Sequence, residues 1–305
     1  EILRERNIRF IDLDERKPVI VDLPHGRAIR KIQVCADLFD FDLVVSIPVL
    51  KTHMHTGVSL AVKNMKGCLW RKSKVSLHML PPVEGMTERP LHVAIADMSR
   101  FLRPHLSLVD GSVGMEGLGP SAGQPRSLGV MVAGVDAFAV DSVACRLMGL
   151  DAGDIDYLRL GAGDGSGVID LSRLSVVPAD WTKWCETFAT APKDLSMSLP
   201  PFYILDRKSC SACQSTLFLF LKRYGDAILE YYRDAGQELP QWVIGKGHES
   251  LPENVICIGN CTARYGRQDR FVGGCPPVAS AILATIDPEK TIGFRDLPQN
   301  DSSSS

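Results

Sequence analysis

Apolar and polar positions along this chain fall into two periods. Short apolar runs rich in β-branched residues predict strands at Ile8–Leu13, Pro18–Leu23, Leu43–Ile47, Leu106–Val109, Leu128–Ala133, Trp242–Gly245 and Val255–Ile258. Apolar residues three and four apart predict a helix over 90–102, with Leu91, Ala94, Ile95, Met98 and Leu102 on one face. A second helix is predicted over 137–149, with Val140, Val143, Ala144, Leu147 and Met148 inward. Asp136 suits its N-cap and Gly149 its C-terminal stop. Shorter or later helices are predicted from Tyr157, over Leu217–Tyr232, and up to about Thr285. Strands alternating with helices predict an α/β fold: a mostly parallel sheet with flanking helices, then a smaller α/β module rich in cysteine. The expected boundaries are an α/β domain over 1–180, a linker over 181–205 rich in Pro, Lys and Ser, a cysteine module over 206–296 and a disordered tail over 297–305.

The stretch Pro48–Gly67, PVLKTHMHTGVSLAVKNMKG, stands out against this pattern. It follows the apolar run Leu43–Ile47, read as a buried parallel strand. A loop then carries Lys51, His53 and His55, and a predicted helix places Ser59, Lys63 and Lys66 on one face. A strand feeding a polar loop and then a helix is where open α/β sheets place ligands. Further on, the segment Gly111–Gly123 holds five glycines and reads as a loop whose amides, including those of Gly114 and Gly117, cradle an anion. Asp110, just before it, and Glu116, within it, are candidate acid–base or metal-binding groups. Asp141 borders the apolar face of its helix, where a carboxylate needs a partner. It is either half of a structural ion pair or part of the site.

Charge sharpens this reading. The 305 residues carry a net charge of −2, which argues against a general nucleic-acid binder. Between Asp42 and Glu84, however, there is no acidic residue, while Lys51, Lys63, Lys66, Arg71, Lys72 and Lys74 are all basic and His53, His55 and His78 accompany them. A +6 interval in a −2 chain favours a small anionic ligand or an acidic protein partner. No apolar run approaches the roughly 20 residues that span a bilayer, so no membrane partner is expected.

Nine cysteines are spread unevenly, with Cys210, Cys213, Cys257, Cys261 and Cys275 in the last third. In a chain of this length such a set points to metal binding in a reducing cytoplasm rather than to disulfides. Cys210 and Cys213 form a C-x2-C pair, Cys261 lies in a Gly-Asn-Cys-Thr loop, and Cys275 stands between two glycines and two prolines. Zinc ribbons show two close pairs, whereas an isolated cysteine after glycines suits a cluster-binding loop. A [4Fe–4S] cluster on Cys210, Cys213, Cys261 and Cys275 is the expected group, with zinc as the alternative. Cys257 falls in a strand and reads as a buried thiol.

The motifs SIPVLKTHMHTGVSLAVKNMKG, LVDGSVGMEG and DAFAVDSVACRLMG, in this order, resemble the family labelled domain of unknown function 362. The resemblance covers about residues 35–165. It implies an upstream segment with a Lys-Pro-Asn element and, in many members, an iron–sulfur module after this domain. A weaker resemblance is to nickel-pincer lactate racemases, whose motif His-x3-Gly-x-Ser-x3-Lys is matched by His53, Gly57, Ser59 and Lys63. It implies a lysine that tethers a metal–organic cofactor, a histidine that moves a proton, and a nickel-ligating histidine matched by His78.

Taken together, these features predict an iron–sulfur redox protein, an oxidoreductase acting on a small anionic substrate or cofactor. His53, Lys63 and His78 would be catalytic, with Lys51, Ser59, Lys66, Asp110, Gly114, Glu116, Gly117 and Asp141 binding the ligand. The alternatives are an electron-transfer or cofactor-delivery protein docking a redox partner, and a racemase-like enzyme.

Overall fold

Apart from one hairpin, the strands form two sheets, one in each of the two units into which the chain divides, Glu1–Pro192 and Lys193–Ser305. The computed structural model describes residues 2–120, 123–191, 199–289 and 292. The expected tail over 297–305 and the part of the expected linker over 192–198 lie outside the described residues.

In the first unit, helix α1 (Ile2–Glu5) precedes the antiparallel pair β1 (Pro18–Asp22) and β2 (Lys31–Cys35). The run Ile8–Leu13 is not a strand. No strand pairs with it among the described residues, and the side chains of Ile8 and Phe10 are exposed. Next come β3 (Val45–Ser46), β4 (Val49–His53), β5 (Gly57–Ser59), α2 (Ala61–Asn64) and α3 (Ser73–Ser76). They are followed by α4 (Pro90–Ser99), β6 (Leu106–Glu116), β7 (Gln124–Gly134), α5 (Ala137–Leu147) and α6 (Asp156–Gly163). β3 and β4 lie one after the other along one side of β6, both parallel to it. β5 is antiparallel to β4, and β7 is antiparallel to β6. The sheet therefore has a parallel centre and antiparallel edges.

Its inward face is built by alternation. Leu50 of β4 and Val109 of β6 share one core with Ile95 and Met98 of α4, Ala144 of α5 and Met148 at the C-terminal cap of α5. Each large side chain buried this way stabilises the fold by about 1.5–3 kcal/mol. Val45 and Ile47, the neighbours of the buried Ser46, point outward and are exposed, so this strand is parallel but buried on one face only.

The glycine-rich segment is a second correction. It does not loop away after Asp110; β6 continues to Glu116 and pairs with β7 along its length, with a register shift between Gly111 and Val113. Gly111 and Gly114, the glycines within β6, answer to packing. A Cβ on Gly114 would stand 2.7 Å from the Leu50 carbonyl oxygen, so only glycine lets β4 approach this closely.

In the second unit, β8 (Ile204–Asp206), α7 (Ser211–Asp234), β9 (Gln241–Ile244), β10 (Val255–Ile258), β11 (Phe271–Val272) and α8 (Ala279–Ile286) follow in order. All four strands are parallel and stand side by side in chain order. Trp242 is fully buried at the centre, with the rings of Phe220 and Phe202 at 5.9 and 6.4 Å. β8 and β11 are too short to leave a periodic signal. Among the described residues, no helix of either unit is long and apolar enough to cross a membrane.

Asp136 caps α5 as expected, accepting from the amides of Phe138 at 2.8 Å and Ala139 at 3.3 Å. Asp141, one turn later, has a role the sequence does not suggest. Its two carboxylate oxygens accept from the amides of Ala61 at 2.7 Å and Val62 at 3.0 Å, the first amides of α2. Leu60, at the N-cap of α2, offers no capping side chain. Asp141 thus caps a neighbouring helix, and neither an ion pair nor a ligand is needed to explain it. Asp141→Ala is expected to lower unfolding stability by about 2–3 kcal/mol, because two buried amides each lose their acceptor. Urea titration of both proteins measures the difference; an unchanged midpoint would show that α2 holds without its cap.

Candidate functional site

β4 ends at His53, and the hairpin to β5 turns the chain back so that Ser59 pairs with Lys51. Ser59 therefore lies in a strand rather than on the expected helix, because pairing with β4 and the complete burial of Val58 outweigh local helical spacing. α2 begins two residues later and is followed by a 3-10 turn, Met65–Cys68, that carries Lys66. The expected convergence still occurs. Lys63 Nζ donates to Thr56 Oγ1 at 2.8 Å and to Ser59 Oγ at 3.0 Å. Thr56 Oγ1 gives its own proton to the Val58 carbonyl, so it is an acceptor for the lysine.

Lys66 Nζ donates to His78 Nε2 at 2.6 Å, which leaves the ring proton of His78 on Nδ1. His53 and His55 stand edge to face with centroids 5.8 Å apart. His53 Nδ1 accepts from the backbone amide of His55 at 3.0 Å. The neutral ring of His53 therefore carries its proton on Nε2 and presents a donor there, not a lone pair. That geometry suits holding or polarising an anionic oxygen better than taking up a proton.

The electrostatics follow from burial without compensation. Lys63 is buried and its ammonium is pushed well below the ordinary lysine range, first by loss of water and then by Lys66 and Lys51. Burial brings Lys66 down to about 8. Burial, together with Lys66 and Lys63, brings His78 down to about 3. His53 is held below its usual value by burial first, then by Lys63, His55, His78 and Lys66. Among the described residues no carboxylate pairs with Lys51, Lys63 or Lys66. The other half of the +6 interval behaves differently. Lys74 pairs with the Asp14 carboxylate at 2.7 Å, the Arg71 guanidinium donates to the Asp14 backbone carbonyl and Lys72 is exposed, so the uncompensated charge drawn away from water falls on Lys51, Lys63 and Lys66.

Lys51, His53, Ser59, Lys63, Lys66 and His78 are thus brought together. The rest of the expected ligand set has other partners. Asp110 accepts from the amide and hydroxyl of Ser112 at 2.9 and 2.6 Å. Glu116 accepts from the Ala189 amide at 2.9 Å, and Gly114 is in the β6–β7 ladder. Gly117 reaches the edge of the site, but its carbonyl accepts from Thr52 and its amide is spent on Ala189. The amides expected to cradle an anion are therefore committed.

Three further residues support the site. Thr56 holds Lys63. His92 of α4 donates from Nε2 to the His55 carbonyl at 2.8 Å, and its Nδ1 lies 3.4 Å from the Asp156 carboxylate. The signal for His92 in the sequence is slim: a histidine beside an apolar stripe.

In the second unit Cys210 follows β8, Cys261 follows β10 and Cys275 follows β11, all at the carboxyl ends of parallel strands. Cys210 and Cys213 share a hydrogen bond that lowers the Cys210 thiol to about 6 and raises that of Cys213, on which Cys261 and Cys275 also act. A Cβ on Gly259 would stand 3.0 Å from Cys213 Sγ, so the chain leaves room beside the sulfur. Among the described residues, no group of three or more Cys, His, Asp or Glu side chains stands close enough as it is to hold a metal ion. Cys257 is buried within β10 and bonded to Thr262.

Lys66 gives a pH signature. Its folded value of about 8 lies below the ordinary 10.5, so between these values the unfolded chain holds a proton that the folded chain lacks. Stability then rises with pH across that window. Lys66→Met is expected to be more stable than the parent below pH 8, with the gap closing toward pH 10.5. Parallel denaturation series at stepped pH measure it; a constant gap would place the lysine in full contact with water.

Residues 1–146 match the family described as "Domain of unknown function (DUF362)". The thylakoid-associated protein sll1697 of Synechocystis sp. (strain ATCC 27184 / PCC 6803 / Kazusa) is 32% identical over 142 residues, which cover 45% of this chain and 43% of that protein. The chain therefore spans less than half the length of this relative. No solved structure matches. The lysine–histidine cluster lies within the stretch that matches the DUF362 family, and the cysteine set lies beyond it.

Proposed function

We propose that this is a redox protein with two chemical centres: an anion-binding site on Lys51, Lys63, Lys66 and His53, and an iron–sulfur centre on Cys210, Cys213, Cys261 and Cys275. The observation that carries the first is Lys63, a buried amine with hydroxyl partners, whose charged form has no carboxylate beside it among the described residues. A buried charge without a counterion is costly, and a small anion seated beside it removes that cost. The ligand class is then a carboxylate or phosphate. His53 offers Nε2–H to it, Lys66 and Lys51 add charge, and His92 fixes the His55 carbonyl and hence the turn that carries His53. Lys63, drawn toward its neutral form, is suited to hold or return a proton at Nζ or to attack a carbonyl carbon.

For the second centre, the donors are thiols alone, one already drawn toward thiolate, with a glycine where a side chain would crowd the sulfur. Such a set suits a [4Fe–4S] cluster, which supplies single electrons when bound. Cys257, buried in its strand, stays outside the set. An oxidoreductase acting on a small anion in a reducing compartment follows from the two centres together.

Two measurements test the two centres separately. Protein purified without oxygen is expected to be brown and to contain about four irons per chain, as the cluster stoichiometry requires. One zinc and no iron overturns the cluster. Inorganic phosphate or oxalate is expected to raise the melting temperature of the parent and to leave Lys63→Ala unmoved. Equal shifts in both proteins overturn the anion site, whatever the metal content.

A further inference from the structure

The parallel ladder between β10 and β11 changes course at its carboxyl end, just before two of the cysteines proposed to hold a cluster. Ile258 pairs with Val272, and the Gly259 amide donates to the Val272 carbonyl at 2.8 Å, as such a ladder requires. Continued regularly, it would send the Gly274 amide to the Gly259 carbonyl and the Cys261 amide to the Gly274 carbonyl. The Gly259 carbonyl is diverted instead. It accepts from the Thr262 amide at 3.0 Å and the Thr262 hydroxyl at 2.8 Å, which winds Asn260–Thr262 into a 3-10 turn. Asn260 takes both places on Gly274: its amide donates to the Gly274 carbonyl at 2.9 Å, and its side-chain Oδ1 accepts from the Gly274 amide at 2.7 Å.

Asn260 immediately precedes Cys261, and Gly274 immediately precedes Cys275. The two bonds therefore join the thiol-bearing loops one residue back from each thiol. Consecutive Cα atoms are about 3.8 Å apart, so a clamp there limits how far the thiols separate. A third proposed ligand lies beside it. A Cβ built on Gly259 would stand 3.0 Å from Cys213 Sγ, 3.6 Å from the Gly274 carbonyl oxygen and 3.9 Å from Pro277 Cδ. Gly259, with a φ of +88°, thus marks the point where the Cys213 sulfur meets both loops.

Asn260, Cys261 and Cys275 are all exposed, and an exposed asparagine in a turn ordinarily satisfies its own backbone. Asn260 does otherwise. Its main chain and side chain both bind a residue 14 positions away, in another ligand loop. We propose that Asn260 is a positioning residue for the thiol set, clamping the Cys261 and Cys275 loops together beside Cys213. Loops already held lose less freedom when a shared group binds, so its affinity rises. That purpose rests on the iron–sulfur reading above; the clamp itself is tested without metal.

Two variants isolate the side-chain bond. Asn260→Ala removes the acceptor; Asn260→Asp keeps an oxygen in its place. In the metal-free chain, dibromobimane, which bridges neighbouring thiols, is expected to link Cys261 to Cys275, with the bridge located by peptide mass. Iodoacetamide labelling of each thiol corrects for its own reactivity. Bridging is expected to be about fivefold slower in Asn260→Ala, the scale of one lost hydrogen bond, and close to the parent rate in Asn260→Asp. Loaded anaerobically with iron and sulfide, the parent and Asn260→Asp are expected to keep iron that Asn260→Ala loses on desalting. Absence of the bridge in the parent overturns the clamp, as do equal rates in the parent and Asn260→Ala, or an Asn260→Asp as slow as Asn260→Ala. Equal iron in the parent and Asn260→Ala overturns the role of Asn260 in assembling the thiol set. A parent that takes up no iron overturns the cluster reading instead, and the bridging rates still decide the clamp.

Discussion

The carboxylate of Asp141 fixes where α2 begins, and the position of Lys63 depends on that start. A four-residue helix cannot hold itself, because nucleation consumes most of what its few hydrogen bonds return. Here the first two amides of α2 are held from α5, by a side chain that is completely buried. Burial pushes that carboxyl up to about 8 even though both amides pull it down, so the contact is made against a real desolvation cost. A cap supplied from within the same segment would leave α2 free to shift with its own loop. A cap supplied from α5 ties the lysine to the core shared by the sheet and α4.

The same logic of imposed position runs outward from Lys63. Thr56 and Ser59 accept its hydrogen bonds, the His55 amide fixes the tautomer of His53, and His92 fixes the His55 carbonyl. Each of these contacts constrains geometry, and none supplies a negative charge. The cluster is therefore rigid and electrically incomplete at once. A binding site is expected to have that combination, since reorganisation on binding would otherwise offset part of the gain.

Much of this was legible in the sequence. The α/β alternation, the helices at Pro90–Ser99 and Ala137–Leu147 and the Asp136 cap all leave periodic or spacing signals, whereas Ser59 meets Lys63 from a strand and not from the helical face its spacing suggested. What was not legible depends on partners distant in the chain. Asp141 looked like half of an ion pair or part of the site because its partners, two amides 79 and 80 residues away, have no sequence signature. The glycines of β6 looked like an anion cradle because local composition cannot distinguish a flexible loop from a strand packed tightly against Leu50. The basic interval looked uniform, yet Asp14, far upstream, pairs with Lys74 and takes Arg71 on its backbone carbonyl, while the inward lysines have no carboxylate partner among the described residues.

Both sheets place their reactive side chains by one device, the carboxyl ends of parallel strands. In the first unit the ends of β4 and its hairpin present nitrogen bases; in the second the ends of β8, β10 and β11 present sulfur. The chemistry differs because the surroundings differ. Around Lys63 the neighbours are cations that discharge one another, and on the proposed reading an anion would relieve that imbalance. Around Cys213 the neighbours are thiols, and the hydrogen bond it shares with Cys210 raises its own proton affinity while lowering that of Cys210. In each unit the proposal rests on the groups at the strand ends rather than on the fold that carries them.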